Sequence, residues 1–322
     1  MLPAMRTIDR ASTRQALAFE RLVPALREMF VQGCVVPPRQ VHEIVSPEGR
    51  TLTSLVMPAW QPGRCYGLKT VNVAPGNAAR GLPGLHATYM LYDATTGAPL
   101  ASIDGDEITA RRTAAASALA ASWLAREDAR HLLVVGAGQV ARLLPEAYLA
   151  VRRIERVSVW ARSAGPARDL AEQVRRLGVA AQAVPDLAAA AAQADIVSCA
   201  TLATSPLVLG RWLRPGSHLD LIGGFTPAMR EADDDCLVSS ALYVDTEEAL
   251  TKSGDLLGPL SRGVIAPADV RGTLQQLCRG ECEGRADARQ RTVFKSVGTA
   301  LEDLAAAMLV FRTVAGAENP VA

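Results

Sequence analysis

The sequence of 322 residues has almost no surplus charge: 34 Lys and Arg stand against 33 Asp and Glu, a net +1. No whole-chain field draws it to nucleic acid or to an anionic membrane, so any anion it recognises must be met locally. Long apolar runs are also missing. The longest, Leu187 to Thr201, is mostly alanine and is broken by Gln193 and Asp195, short of the ~20 apolar residues that cross a bilayer. Arg6, Asp9, Arg10 and Arg14 interrupt the region where a secretory signal needs unbroken apolar residues, and a cytoplasmic location is expected. Histidine is scarce, with His42, His86, His131 and His218 far apart, and the six cysteines form no short-range framework. Neither disulfides nor a zinc site is expected; Cys278 and Cys282 lie four apart in a segment read as helix, but no second pair completes a metal shell. Gly-x-Ser-x-Gly and the P-loop pattern Gly-x4-Gly-Lys-Ser/Thr are both absent, which removes serine hydrolases and P-loop phosphotransferases.

What is present is a globular composition, 49% hydrophobic and 21% charged, in a chain long enough for two domains. Leu17, Leu22, Leu26 and Phe30 predict one amphipathic helix over Thr13 to Phe30. From Gln40 to Leu100, short β-like runs between Pro and Gly turns (Val41 to Val45, Thr51 to Met57, Tyr66 to Val73, Ala87 to Tyr92) predict an antiparallel sheet. The alanine-rich stretch Ile108 to Leu124 reads as a connecting helix. Beyond it, strands at His131 to Val135, Val157 to Trp160, Ile196 to Ala200 and His218 to Ile222 accompany helices at Val140 to Val151 and Ala167 to Leu177. That alternation predicts a doubly wound parallel sheet. A final helix, Ser296 to Val314, fits either domain by its pattern.

The sharpest local motif is the strand Leu132 to Val135 running into Gly136-Ala137-Gly138-Gln139-Val140-Ala141. This is the dinucleotide fingerprint Gly-x-Gly-x-x-Ala: the first glycine turns the chain, the second admits a pyrophosphate, and the alanine allows close packing. An NAD site usually has an acid about 20 residues further on for the ribose 2′-hydroxyl. Here Val157 to Trp160 is followed by Ala161-Arg162-Ser163. A guanidinium and a hydroxyl suit a 2′-phosphate, so NADPH is the expected cofactor, with NADH bound more weakly.

Gly67-Leu68-Lys69-Thr70-Val71, Gly81-Leu82-Pro83, Asp104-Gly105, Thr109 through Arg112-Thr113-Ala114-Ala115, the glycine loop and Phe294-Lys295-Ser296-Val297-Gly298 occur in that order. Together they resemble the ornithine cyclodeaminase and mu-crystallin family, over about Pro38 to Phe311. The resemblance implies a homodimer, with a Rossmann domain (116–298) and an α+β substrate-binding and dimerisation domain (1–115, completed by 299–322). It implies that Arg39, Lys69 and Arg112 hold a substrate carboxylate. Three cations gathered in a near-neutral protein would suit such an anion. Adjacent Arg111 points elsewhere on the helix and offers a bland control. His86 is a further candidate in the strand after Gly-Leu-Pro. The cofactor set expected on this basis adds Thr113, Ala200, Thr201, Gly223, Phe225, Ser296, Val297 and Gly298 to Gly136, Ala137, Gly138, Gln139, Val140, Arg162 and Ser163.

Cyclodeaminases of that family carry an aspartate in a turn after a late Rossmann strand. This sequence reads Gly223-Gly224-Phe225-Thr226-Pro227, and phenylalanine does no acid or base work. A ketimine reductase loses less, since its substrate needs only a hydride and a proton. The resemblance therefore implies an NADPH-dependent reductase of Δ1-pyrroline-2-carboxylate, giving L-proline, and by extension of Δ1-piperideine-2-carboxylate, giving L-pipecolate. Competing readings are an alanine or opine-type dehydrogenase, a cyclodeaminase, and a mu-crystallin-like ligand-binding protein. The proton source stays open among Lys69, His86 and a bound water.

Overall fold

The computed structural model describes residues 5–49, 51–238 and 240–316. The outermost residues of the expected substrate domain, 1–4 and 317–322, lie outside them. In chain order the elements are β1 (Arg6–Ile8), α1 (Arg10–Ala16), α2 (Phe19–Gln32), β2 (Gln40–Val45), β3 (Thr51–Trp60), β4 (Cys65–Val73), β5 (Leu85–Asp93) and β6 (Pro99–Asp104). Then come α3 (Gly105–Leu124), β7 (His131–Val135), α4 (Leu144–Leu149), β8 (Arg156–Trp160), α5 (Ala164–Arg175), β9 (Ala180–Ala183), α6 (Leu187–Gln193), β10 (Ile196–Cys199) and β11 (His218–Leu221). The chain closes with α7 (Asp235–Val238), β12 (Ala241–Val244), α8 (Ala249–Lys252), α9 (Gly254–Ser261), β13 (Val270–Thr273), α10 (Leu274–Arg279), β14 (Thr292–Lys295) and α11 (Ala300–Ala315).

Two compact units result, one discontinuous (up to Arg112, and again from Thr299) and one inserted (Thr113–Gly298). The discontinuous unit holds a sheet in the order β1-β6-β5-β4-β3-β2, antiparallel except for the β1–β6 pair. Along β3 to β5 the odd-numbered residues Met57, Ala59, Cys65, Lys69, Val71, Tyr89 and Leu91 are buried, and α11 packs against these three strands. The helix expected over Thr13 to Phe30 is instead two, α1 and α2. Leu17 and Phe19 are both fully buried, yet two residues apart they would point about 200° apart on a continuous helix. Breaking the helix turns both inward and leaves the Leu17 carbonyl to accept from Arg111 Nη1 at 3.1 Å.

The inserted unit is an all-parallel sheet, β13-β12-β14-β11-β10-β7-β8-β9, with helices between strands: the doubly wound Rossmann arrangement. Its strands read as continuous apolar runs because both faces are covered, as the fully buried β7 and β10 show. Helix α4 is shorter than the expected Val140 to Val151. Pro145 stands at its first turn and has no N–H for the Ala141 carbonyl, so the preceding residues form turns. Helix α10 stops at Gly280, in the left-handed region at φ 68°, which leaves Cys282 beyond the helix it was expected to share with Cys278. The last helix starts at Ala300, capped by Thr299, and belongs to the discontinuous unit. Among the described residues no helix is long and apolar enough to cross a membrane.

Candidate active site

Within the inserted unit the strand order reverses at β7, which lies between β8 and β10; ligands of such sheets bind outside the carboxyl ends of strands at that point. The expected cofactor residues of this unit's loops follow carboxyl ends of its strands. Gly136 to Val140 follow β7, Arg162 and Ser163 follow β8, Ala200 and Thr201 follow β10, Gly223 and Phe225 follow β11, and Ser296 to Gly298 follow β14. Gly136 has φ 120°, and a Cβ there would lie 2.5 Å from the Ala200 carbonyl oxygen, so the turn admits only glycine. A Cβ on Gly138 would meet nothing within 4 Å, leaving its backbone open to a pyrophosphate. These residues fit a dinucleotide. Arg162 and Ser163 are both exposed, and Ser163 is the extended residue before α5. Thr113, by contrast, is a half-buried residue of α3, away from these loops in sequence.

In the discontinuous unit, β4, α3 and α11 converge on a buried ion cluster. Lys69 Nζ lies 2.6 Å from Asp303 Oδ2, Arg112 Nη1 is 2.7 Å from Glu302 Oε2, and Arg112 Nε is 3.0 Å from Asp303 Oδ1. Burial lowers the Lys69 pKa to about 8, with Arg112 pushing the same way and Asp303 opposing. Gly67 is required by packing: a Cβ there would run into the Tyr89 hydroxyl. This cluster corrects the expectation that the cations await an external anion. Glu302 and Asp303 already balance Lys69 and Arg112, so charge alone does not argue for a bound carboxylate. The signal was present in the sequence. Two acids sit between Leu301 and Leu304 in a helix that is apolar on every side, which marks a buried helix, and buried carboxylates need partners.

The other candidates are placed differently. Arg39 immediately precedes β2, one residue before the Gln40–Val56 pairing and so level with Met57, which faces Lys69 across β3 and β4. That puts it two strands, roughly 10 Å, along the same row. His86 pairs with Asn72, an even-numbered position, and so occupies the sheet face opposite Lys69, where it is exposed. The structure does not bring it to the cluster. Arg111 does point away from Arg112, but it is not bland: its Nε donates to Glu107 at 3.0 Å, and Arg10 and Arg14 share that carboxylate.

A family model for ornithine cyclodeaminase/mu-crystallin matches residues 9–318. The chain belongs to that family. A Δ1-pyrroline-2-carboxylate reductase of Paracoccus denitrificans is 45% identical over 303 residues, 93% of this chain and 94% of the relative. Among solved structures, the Thermococcus litoralis Δ1-pyrroline-2-carboxylate reductase in complex with NADH and L-proline superposes with a TM-score of 0.90 at 32% identity, covering 96% of this chain and 97% of that one. An archaeal alanine dehydrogenase dimer with bound NAD gives a TM-score of 0.89 at 28% identity, over 99% and 98% of the two chains.

Within this ornithine cyclodeaminase/mu-crystallin chain, the turn after β11, where an aspartate would have been expected of a cyclodeaminase, presents Phe225, 46% exposed, with its backbone N–H bonded to the Gly223 carbonyl at 2.8 Å. The nearby carboxylates are committed to backbone. Glu231 accepts from Thr201 and Gly223, and Asp255 accepts from the N–H groups of Glu231 and Ala232. Sequence reading gave neither acid a role.

Proposed function

We propose that this protein reduces cyclic ketimines, Δ1-pyrroline-2-carboxylate to L-proline and Δ1-piperideine-2-carboxylate to L-pipecolate, and prefers NADPH to NADH. The observation that carries the reading is Phe225. The turn offers an apolar ring in place of a carboxylate, so the acid–base group that cyclisation and ammonia release need is missing, while reduction of a ready-made imine needs only hydride and a proton. The reduced nicotinamide supplies the hydride when bound. Gly136 to Val140 hold the pyrophosphate, Arg162 and Ser163 bond the 2′-phosphate, and Arg112, Lys69 and Arg39 orient the substrate carboxylate, the positioning on which rate depends. Lys69 gives the proton to the ring nitrogen. Its pKa of about 8 sits near the operating pH, where proton donors are most effective, and His86 lies on the other sheet face. The reductase relatives support the substrate class, and the alanine dehydrogenase neighbour keeps a dehydrogenase in view.

A substrate panel tests this. NADPH consumption is expected with either cyclic imino acid and not with pyruvate plus ammonia, and L-ornithine with an oxidised cofactor is expected to release no ammonia. Robust ammonia release from ornithine would sink the Phe225 argument. Arg162→Ala is expected to weaken NADPH by roughly 1.5–3 kcal/mol, the worth of a charged hydrogen bond, and to leave NADH nearly unchanged; equal losses for the two would contradict the assignment.

A further inference from the structure

Lys295, at the carboxyl end of β14, is fully buried and lies 3.1 Å from Asp255 Oδ2. It is a buried cation among buried carboxylates: its charge also favours ionisation of Glu231, Asp245 and Asp220. Three of these four acids spend their oxygens on loops at the carboxyl edge of the sheet. Glu231 Oε1 accepts from the Thr201 N–H and the Thr201 hydroxyl, both at 2.7 Å, and Oε2 accepts from the Gly223 N–H at 2.6 Å. Asp255 Oδ1 accepts from the Glu231 N–H at 2.7 Å, which fixes the backbone that carries Glu231. Asp245 Oδ2 accepts from Val297 and Gly298 at 2.7 and 2.6 Å. The loops are packed hard onto these groups. A Cβ on Gly223 would lie 2.5 Å from Glu231 Oε1, and one on Gly224 would run into Asp255 Oδ2.

We propose that Glu231 is a positioning residue: its two carboxylate oxygens lock the loop after β10 to the turn after β11, and so set where Phe225 and the nicotinamide half of the cofactor stand. The idea rests on the reading of the inserted unit as a nicotinamide-dependent reductase. In a doubly wound sheet the first three strands, β7 to β9, serve one mononucleotide and β10, β11 and β14 the other; Glu231 serves only the second half. A carboxylate is required there. Three donors converge on it, and a glutamine would turn an N–H toward one of them, leaving a buried donor unmet.

The test compares Glu231→Gln with Asp195→Asn. Asp195 is also a buried carboxylate of this unit, accepting from Arg126, Arg130 N–H and His131 N–H, but it lies at the opposite, amino-terminal end of the strands and touches no cofactor loop. E231Q is expected to bind NADPH within threefold of wild type, since the glycine loop and Arg162 are untouched. It is expected to lose the enhanced emission of the bound reduced nicotinamide and at least tenfold in kcat per folded molecule. D195N is expected to lower Tm and keep both emission and kcat. Should E231Q fail to fold, Asp255→Asn carries the same expectation, with a smaller loss. Wild-type emission and kcat in folded E231Q, or losses that track only the folded fraction as in D195N, would overturn the proposal. If wild type binds NADPH but reduces no imine, the reaction reading has failed, and the emission comparison alone decides for or against Glu231.

Discussion

Lys69 is completely buried, yet burial has not simply discharged it. Asp303 at 2.6 Å opposes the desolvation that lowers its pKa to about 8, so the group is cationic at neutral pH and yields its proton within reach of it. The protonated form exists below that value. In the proposed reaction kcat/KM is therefore expected to be flat below about pH 8 and to fall about tenfold per unit above it. Lys69→Arg keeps a cation that does not release its proton, so it is expected to bind the imine within a few fold while losing roughly 10²-fold or more in kcat. Ordinary turnover in that variant would assign the proton to water. Arg112 is tied to the same acids, and Arg112→Ala is expected to leave NADPH affinity unchanged while lowering imine turnover by about 10² or more, near 3 kcal/mol of transition-state stabilisation. It also leaves Glu302 buried without its 2.7 Å partner, so activity must be measured per folded molecule. Arg111 is no control for it, because Arg111 is itself buried on Glu107. An exposed arginine such as Arg153, 80% exposed at its side chain, serves better.

At the scale of elements, legibility followed local signals. The strand β7 and its glycine turn were readable because a buried β-branched run and a glycine of positive φ have one physical reading. Strands β9 and β13 were not, because Ala180–Ala183 holds no β-branched or aromatic residue and Val270–Thr273 holds an arginine and a glycine, so their place is set by neighbours in the sheet. The candidate site was legible where a side chain belongs to a motif, as with Lys69, Arg112 and Gly136. It was not where the partner is distant, as with Glu302 and Asp303, about 190 residues from Arg112 in the chain and brought there by α11 crossing β3 to β5. The helix thus carries chemistry as well as packing. Asp303→Asn removes the charge that holds the Lys69 proton, so the falling limb of the pH profile is expected to move below 8. Leaving a buried ammonium unpaired is expected to cost about 3–5 kcal/mol in urea denaturation. An unmoved limb would mean that Asp303 does not set the Lys69 proton affinity.

The molecule as a whole raises the question of what covers the other face of the antiparallel sheet. The odd-numbered residues Met57, Ala59, Cys65, Lys69, Val71, Tyr89 and Leu91 are buried on the side where α11 packs, while the even-numbered face carries Leu52, Val56, Trp60, Tyr66, Leu68, Met90 and Tyr92, all half-buried. Tyr66 stacks on Tyr92 with centroids 5.2 Å apart, and Trp60 meets Tyr66 edge-on at 6.3 Å, so the face is apolar over three strands. Beside it runs β2, an edge strand with Val41, Ile44 and Val45 each more than half exposed. An edge of that kind, next to an apolar sheet face, invites pairing or cover, and a second copy placed by a two-fold axis covers like with like. The homodimer expected from the sequence is proposed to pair through this face. Val56→Glu with Met90→Glu puts two charges into the centre of the face without touching Lys69, Arg112 or the glycine loop. Wild type is expected to sediment at twice the chain mass at micromolar concentration, and the double variant at the mass of one chain, with NADPH still bound by the inserted unit. A wild type that stays monomeric across the concentration range, or a double variant that stays paired, would place the contact elsewhere or remove it.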